Sequence, residues 1–239
     1  MTTILSAALA PDTSGTCTAA ARKTVVVWSE GTAPQQVYPH DINGAIAAGL
    51  RASEVLQAWD VTVANIGEPE QGLPSAVLSK ADVLVWWGHE KHAEVTDELA
   101  ARIAKRVKDE GMGFIALHSA HFSKPNKLLM GTACSFAAYL CDNKETVIQV
   151  TAADHPIANG VAAEFTIAND ERYSDPYAVP PAAATPFGGT TCTTTECGRK
   201  ASRATVGRWA RAIVSISRPD TRPARSISIR RSVKSWPTP

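Results

Sequence analysis

Short apolar runs alternate with segments of helical periodicity along most of this chain, and this alternation limits the possible folds more than any other feature. The apolar runs lie at residues 24–28, 61–66, 82–87 and 112–117. Between them, residues 41–58 and 92–110 repeat apolar side chains at helical spacing. Strands that alternate with helices predict βαβ units, and runs that are apolar throughout predict a sheet covered on both faces. The sequence therefore predicts an α/β fold with a doubly wound, flavodoxin-like and mostly parallel sheet.

The chain divides into a leader, an α/β domain and a tail. Residues 1–22 are rich in Ala, Thr and Ser without periodicity and are predicted to be a disordered leader. The α/β domain is predicted to cover residues 23–180, and residues 181–239 are predicted to be a disordered tail. The further elements expected in the domain are a helix at residues 124–130 and strands at 146–150 and 164–167.

The formal charge of +1 hides a division between domain and tail. Residues 1–179 carry 13 Lys and Arg against 21 Asp and Glu, whereas residues 180–239 carry 11 against 2. These counts give net charges of −8 and +9. A basic tail can bind nucleic acid, but this one lacks interleaved aromatic residues and any helical period, so no nucleic-acid partner is predicted.

The location of the protein is predicted from its apolar runs and its cysteines. No apolar run reaches the ~18 residues of a membrane-spanning helix, and the start of the chain has no basic segment. The 5 cysteines show neither a disulfide framework nor zinc-ligand spacing. We therefore expect a cytoplasmic protein without a membrane partner.

Two histidine pairs directly follow the third and fourth apolar runs. His89 and His92 follow the third run, and His118 and His121 follow the fourth. In the common flavodoxin-like strand order 2-1-3-4-5, strands 1, 3 and 4 are neighbours, and ligands bind beyond their carboxyl ends. Both pairs are therefore expected to converge at one edge of the sheet with Glu30, which follows the first run.

The converging residues allow two kinds of chemistry and one structural alternative. Imidazole is a common ligand of first-row metals, so a divalent ion such as zinc or manganese is one possibility. The candidate ligands are His89, His92, His118 and His121. Equally, His118 can act as a general acid or base, with Glu30 or Glu171 moving a proton. Each histidine can instead be a polar end-cap that is hydrogen-bonded to the backbone.

Three residues near the same edge are candidates for contacting a substrate. Trp87 can stack on a sugar ring or pack on the sheet face. Ser119 directly follows His118, and Tyr173 belongs to an Asp-Glu-Arg-Tyr segment that reaches this edge or lies in a solvated loop. His155, in Asp-His-Pro-Ile, is predicted to have a structural role.

Several segments, spread over about residues 24–180, together carry a family resemblance. They are Val27-Trp28-Ser29-Glu30, Tyr38-Pro39-His40-Asp41-Ile42-Asn43-Gly44, Trp86-Trp87-Gly88-His89-Glu90-Lys91-His92, Leu117-His118-Ser119-Ala120-His121-Phe122-Ser123, Leu129-Met130-Gly131-Thr132, His155-Pro156-Ile157 and Asp170-Glu171-Arg172-Tyr173. These segments resemble the trehalose-utilisation (ThuA-like) family, and the two histidine-pair motifs are the most specific of them. The resemblance implies a fold similar to class I glutamine amidotransferases. It also implies a sugar partner, trehalose or a related disaccharide or keto-sugar.

The resemblance leaves several functions open. The amidotransferase relatives carry a cysteine where this chain has His118, and Cys134 and Cys141 follow no predicted strand, so amidotransfer by a cysteine is not expected. Where the family reads Tyr-Pro-x-x-x-His, this chain has Asn43, with a histidine displaced to His40. The hypotheses are a metal-dependent hydrolase, lyase or isomerase acting on a sugar, a non-catalytic sugar-binding or regulatory module, or an inactive truncated product.

The tail departs from the resemblance, which implies a strand, Pro-Gly-His-Glu-Thr and a closing helix in this part of the chain. In a shifted reading frame, the last base of each codon is read together with the first two bases of the next codon. The codons that can encode residues 218–223 permit Pro-Gly-His-Glu-Thr in this shifted frame. After residue 225 the same frame permits Asn-Pro-Glu, which is a suitable helix start. A frameshift near residues 180–195 is therefore predicted, which leaves the domain incomplete at its C-terminal end.

Overall fold

The computed structural model describes residues 22–141, 145–168, 171–173, 176–191 and 213–215. The predicted disordered leader and most of the predicted tail lie outside these ranges. Within the described part, no helix is long and apolar enough to cross a membrane.

Helices and strands alternate through the first half of the chain, and strands dominate the second half. The helices of the described part are α1 Asp41–Arg51, α2 Ser75–Leu78, α3 Asp97–Lys108 and α4 Lys124–Met130. Its strands are β1 Lys23–Ser29, β2 Trp59–Asn65, β3 Val83–Gly88, β4 Gly113–His118, β5 Tyr139–Leu140, β6 Thr146–Val150, β7 Glu164–Ile167, β8 Arg172–Tyr173, β9 Phe187–Thr191 and β10 Ile213–Ser215.

The main sheet has the strand order β10-β4-β3-β1-β2. β1 runs parallel to β2 and β3, β3 runs parallel to β4, and β10 is antiparallel to β4. The prediction that strands 1, 3 and 4 are neighbours is thus confirmed, as is the mostly parallel α/β fold. Because β3 and β4 are in register, Gly88 lies beside His118 at the carboxyl edge.

Both faces of this sheet are buried, as the apolar runs predict. On one face, Trp28 and Trp86 stack with ring centroids 3.6 Å apart and form one cluster with the buried side of α3. On the other face, Val25 and Val85 pack with Ala47 of α1. The large apolar area removed from water on both faces stabilises the strands whose ends carry the candidate site residues.

A second, antiparallel sheet has the order β7-β6-β9. Its β9 pairs with β6 along the whole strand, from Thr146 opposite Thr191 to Val150 opposite Phe187. This strand falls within the segment that the sequence assigned to the tail. Regular structure therefore continues past residue 180, to Thr191, and the predicted domain boundary stays a prediction.

The start of α3 differs from the sequence prediction in a way that matters for the site. Residues 92–110 were expected to be helical, but α3 begins at Asp97. Thr96 caps it, because its hydroxyl accepts a hydrogen bond from the N–H of Leu99 at 3.2 Å. His92 therefore lies in the loop before the helix. The spacing of three residues would stack His89 and His92 only on a helix, and both residues precede α3.

Replacing Thr96 by Ala removes the hydroxyl that caps α3. We expect the free energy of unfolding to fall by about 1 kcal/mol, because the N–H of Leu99 loses its acceptor. Thr96→Ser keeps the hydroxyl and is expected to retain most of the stability. Chemical denaturation followed by circular dichroism measures both, and equal losses in the two variants would contradict the capping role.

Candidate functional site

Glu30 is the charged residue at the centre of the carboxyl edge. It follows β1, and its side chain is fully buried. Its Oε2 accepts three backbone hydrogen bonds, from the N–H groups of His89 at 2.9 Å, Glu90 at 2.6 Å and Lys91 at 2.8 Å. The loop after β3 is thus wrapped around one carboxylate oxygen. Glu30 thus anchors the loop that carries His89, and its catalytic role stays a prediction.

One histidine from each predicted pair meets the other across neighbouring strands. Nδ1 of His89 lies 3.0 Å from Nε2 of His118, which is hydrogen-bonding distance. The other ring nitrogen of His89, Nε2, lies 3.1 Å from a carboxylate oxygen of Glu90. Glu90, His89 and His118 therefore form a chain of polar contacts along the edge.

His118 stands at a strained turn between β4 and a 3-10 turn, Ser119–Phe122. Its backbone has φ 55° and ψ −129°, a conformation that residues other than glycine rarely adopt. A strained strand-to-helix turn of this kind lifts a side chain above the sheet, as in the nucleophile elbow of hydrolases. The ring of His118 stacks on Trp87, with ring centroids 5.4 Å apart and an interplanar angle of 9°. Trp87, predicted to contact substrate, thus belongs to the site.

Loss of contact with water lowers the pKa of His118 below its usual value of 6.5. The residue as a whole is exposed, but the face of its ring that lies on Trp87 is shielded. The nearby imidazoles of His89 and His92 lower this pKa further, whereas the negative charges of Glu171 and Glu30 oppose the shift. A neutral imidazole near neutral pH can accept a proton from a ligand.

His92 lies beside Glu30 rather than in the His89–His118 pair. Its Nδ1 is 3.5 Å from Oε1 of Glu30. Burial lowers the pKa of His92, the charge of Glu30 opposes this shift, and the charge of Lys127 adds to it. The side chain of His92 is 18% exposed.

His121 is 3% exposed and is surrounded by aromatic rings. Its ring centroid lies 4.1 Å from that of Phe122, 5.3 Å from that of Tyr173 and 5.5 Å from that of Phe136. Its backbone carbonyl accepts a hydrogen bond from the side-chain amide of Asn126 at 3.1 Å. The local environment is thus an aromatic pocket beneath the turn that begins at His118.

The four histidines predicted as metal ligands occupy three different environments. Among the described residues, no group of three or more His, Cys, Asp or Glu is arranged to hold a metal ion. The 3.0 Å between the facing nitrogens of His89 and His118 is nevertheless close to the ~3.3 Å that separates two ligands of a tetrahedral zinc. These two residues could therefore supply two of its ligands, and the four-histidine set stays a prediction.

Glu171 and Tyr173 lie close to each other near His118. The hydroxyl of Tyr173 donates a hydrogen bond to Oε2 of Glu171 at 3.1 Å, and the charge of Glu171 acts on the ring of His118. Ser119, the other predicted contact residue, is half-buried at the start of the 3-10 turn. Asp170, from the same motif as Glu171, lies outside the described residues.

A polar network that was not predicted from the sequence lies at the ends of β1 and β2. The hydroxyl of Ser29 donates to a carboxylate oxygen of Asp41, and the side-chain amide of Asn65 lies 3.4 Å from the same oxygen. Asp41 has φ 57°, which is unusual for a residue other than glycine. Ser29 and Asn65 are the last residues of β1 and β2. The rule that ligands bind beyond the carboxyl ends of parallel strands, which placed the histidines at this edge, would therefore also have indicated these two residues.

Asn43 replaces the imidazole that the resemblance implied at its position. It is buried, and its side-chain amide donates to the carbonyl of Ala64 in β2 at 2.8 Å. His40 precedes α1. In place of the implied imidazole, Asn43 therefore supplies a hydrogen bond that joins α1 to the main sheet.

His155 has a structural contact, in agreement with its prediction. Its Nδ1 accepts a hydrogen bond from the N–H of Ile157 at 3.2 Å and so caps the 3-10 turn Pro156–Ala158. Cys134 is buried, and Cys141 is exposed. Neither cysteine lies at the end of a parallel strand, whereas His118 occupies the strained turn after β4.

A groove of about 650 Å³ lies along β2, away from the histidines. Its lining includes Thr62, Val63, Glu68 and Lys80. None of the predicted site residues lines it, so the candidate site is the polar edge described above and not this groove.

The fold and the edge residues define an α/β protein whose paired imidazoles lie at the carboxyl ends of β3 and β4. The ThuA family (trehalose utilisation) matches residues 24–202, and the chain belongs to this family.

Two solved structures are similar to the chain. A crystal structure of a ThuA-like protein from Bacteroides uniformis ATCC 8492 superimposes with a TM-score of 0.51 at 12% identity, covering 70% of this chain and 67% of that chain. A ThuA-like protein from Parabacteroides merdae ATCC 43184 gives a TM-score of 0.47 at 17% identity, covering 71% and 68%. At these identities, the first supports the fold alone. No curated protein matches the chain.

An NMR titration of the imidazole protons checks the environment of His118. We expect its pKa to lie below 6.5, and His89→Ala to raise it, because the variant removes an imidazole that lowers this pKa and admits water to the ring. His155→Ala, which changes a histidine outside the site, is the control and should leave the pKa of His118 unchanged.

The lowered pKa of His118 also determines the direction in which the stability of the protein changes with pH. Because the folded pKa is lowered, the unfolded chain binds this proton more readily below pH 6.5. The contribution of His118 to stability is therefore complete above 6.5 and is lost as the pH falls through the folded pKa. A measured pKa of His118 above 6.5 would contradict the described packing.

Proposed function

We propose that this protein transfers a proton on a keto-sugar derived from trehalose or a related disaccharide, as a lyase or an isomerase. The observation that carries the proposal is the contact between His89 and His118 at the strained end of β4. A single base that is neutral near pH 7 suits removal of a proton from a carbon next to a carbonyl. Membership of a trehalose-utilisation family supports the choice of substrate class.

The positions of the protons follow from the contacts of the two rings. The carboxylate of Glu90 can only accept, so Nε2 of His89, 3.1 Å away, carries a hydrogen. In a neutral ring Nδ1 of His89 is then an acceptor, and it receives Nε2–H of His118. Nδ1 of His118 is left with a lone pair and takes the substrate proton. The resulting positive charge is stabilised by the negative charges of Glu171 and Glu30, which act on the ring of His118.

Neighbouring side chains supply the other parts of the reaction. Trp87 lies against His118 and offers an aromatic face on which a sugar ring can stack. The carboxylate of Glu171 accepts a hydrogen bond from the hydroxyl of Tyr173, and its negative charge acts on the ring of His118. His118 can return the proton that it has taken, while the negative charge of Glu171 stabilises the protonated ring, and Ser119 can hydrogen-bond a sugar hydroxyl.

A divalent metal is the alternative to this hydrogen-bonded arrangement, because an ion held by both rings would replace the hydrogen on Nε2 of His118. Nδ1 of His118 would then carry the hydrogen, and Glu171 would be the base. His89 and His118 would contribute Nδ1 and Nε2, whose separation is close to that of two zinc ligands. Bound there, zinc or manganese would polarise the carbonyl of the keto-sugar. His92 and His121 belong to the ligand set only if their loops move, since each lies in a separate environment.

Deuterium exchange into a keto-sugar tests the proposed proton transfer. We expect the protein to exchange deuterium from D₂O into the keto derivative of trehalose, detected by NMR. His118→Gln should abolish the exchange, because it removes the base, whereas His155→Gln should retain it. The measurement is repeated after chelation and after addition of zinc or manganese. If neither the rate of deuterium exchange nor the bound metal content differs between these measurements, the proposal that a metal takes part is contradicted.

The non-catalytic alternative gives a different result in the same experiment. A sugar-binding module would bind trehalose or its keto derivative in calorimetry without any deuterium exchange. Absence of both binding and exchange would contradict the proposal for the chain as given.

A frameshift near residues 180–195 is proposed for the tail. The charge change after residue 179 and the permitted Pro-Gly-His-Glu-Thr in residues 218–223 support it. In the present frame, β10 occupies the edge of the main sheet next to β4. In the other frame this part of the chain would supply a strand, a His-Glu pair and a closing helix.

Sequencing of the gene, together with proteolysis of the purified protein, tests this proposal. We expect corrected bases near residues 180–195, and a tail that is cleaved faster than the domain. A protein made in the restored frame should unfold at a higher temperature than the chain as given. Confirmed bases that keep the present frame, with a tail that resists protease, would contradict it.

A further inference from the structure

We infer that Glu30 and His92 form a second carboxylate–imidazole pair, which leaves Nε2 of His92 as a hydrogen-bond acceptor for a hydroxyl group of the ligand. The inference deepens the proposed function and rests on it for the class of ligand, a polyhydroxylated sugar. In this arrangement Glu30 is a positioning residue, and His92 is a binding residue beside the His89–His118 pair.

The two carboxylate oxygens of Glu30 have different surroundings. Oε2 is occupied by three backbone N–H donors, which stabilise the carboxylate form and fix its orientation. Oε1 is buried and has no hydrogen-bond partner among the described residues. Because buried polar groups are nearly always satisfied, Oε1 needs a donor nearby. Nδ1 of His92, at 3.5 Å, is positioned to be this donor.

The orientation of the His92 ring is set by the packing around it. A Cβ atom at Gly88 would lie 2.8 Å from Cε1 and 3.2 Å from Nδ1 of His92, so the ring rests directly on the backbone of β3. The same Cβ would lie 3.1 Å from Cα of Ala120 on the other side. Only glycine leaves room for the ring between the two strand ends.

The position of the proton on His92 follows from this geometry. A carboxylate only accepts hydrogen bonds, so the nitrogen that faces it, Nδ1, carries the hydrogen. A neutral ring then has its lone pair on Nε2. This atom is buried and has no hydrogen-bond partner among the described residues. The charges that act on the ring come from Glu30, Lys127 and His89.

Nε2 of His92 can accept a hydrogen bond from a hydroxyl group of a sugar. His92 and His118 are close enough for the charge of one ring to affect the other. Although Nε2 is buried, the side chain of His92 is 18% exposed. A small shift of the ring would let one sugar hydroxyl donate to Nε2 while a neighbouring position of the same sugar faces His118. Such a donor satisfies an atom that is otherwise buried without a partner, which favours polyhydroxylated ligands over apolar ones.

Nitrogen-15 NMR of the imidazole rings tests the tautomer in the protein without ligand. Long-range proton–nitrogen correlations above pH 7 are expected to show His92 with hydrogen on Nδ1. In Glu30→Gln, the amide oxygen can remain on the three N–H groups while the NH₂ group faces Nδ1. His92 should then move its hydrogen to Nε2. Glu94→Gln, a change at an exposed residue, is the matched control and should leave His92 unchanged.

Addition of trehalose or its keto derivative tests the binding role. We expect the sugar to shift the Nε2 resonance of His92, and Glu30→Gln to weaken binding by about tenfold, as for one lost hydrogen bond. Gly88→Ala displaces the ring without changing any donor or acceptor and should weaken binding as well. It serves as the second variant if Glu30→Gln does not fold.

The outcomes separate this inference from the proposed function. If His92 of the parent protein carries its hydrogen on Nε2, the inferred pair is overturned, whatever the variants do. If the sugar binds and the Nε2 resonance does not move, the binding role of His92 is overturned while the proposed function stands. A sugar that does not bind at all contradicts the proposed function and leaves the tautomer as a separate result.

Discussion

The buried carboxylate of Glu30 is the interaction on which the arrangement of the edge depends. Moving an ionised group out of water is costly unless it is paired and hydrogen-bonded. Here three backbone N–H groups converge on one oxygen, and hydrogen bonds to a charged acceptor are stronger than neutral ones. The carboxylate thus holds the loop after β3 against the end of β1. The loop that carries His89 is thereby held where its ring meets that of His118.

The strand order could be predicted from the sequence because it depends on properties that a single segment carries. The runs that became β1, β3 and β4 are apolar throughout, and the segments between them have helical periodicity. Such segments have few alternatives to a parallel sheet covered by helices. Once strands 1, 3 and 4 are neighbours, their carboxyl ends must share one edge. The position of Glu30 and the histidines at that edge followed without any information on side-chain contacts.

The pairing of the histidines could not be predicted in the same way. Residues three apart stack only on a helix that has already begun, so the spacing of His89 and His92 could not decide where their rings lie. The cap at Thr96 starts α3 later, so the two rings point to different partners. His118 and His121 also separate, because the first ends β4 in a strained conformation and the second lies inside the following turn. Register across the sheet, and not spacing along the chain, decides which rings meet. The strand β9 escaped prediction for a related reason, since a Gly- and Thr-rich segment becomes a strand only through its pairing with β6.

The strain at His118 connects the stability of the edge to its chemistry. A residue other than glycine at positive φ costs free energy, which surrounding contacts must offset. At this turn the offsetting contacts are the stack on Trp87 and the hydrogen bond to His89. Both act on the ring of His118, so the same contacts that maintain the backbone conformation also fix the ring and its protons. The hydrogen bond in turn needs the loop held by Glu30. A change at Glu30 would therefore reach His118 through His89, although no direct hydrogen bond joins the two residues in the described part of the chain.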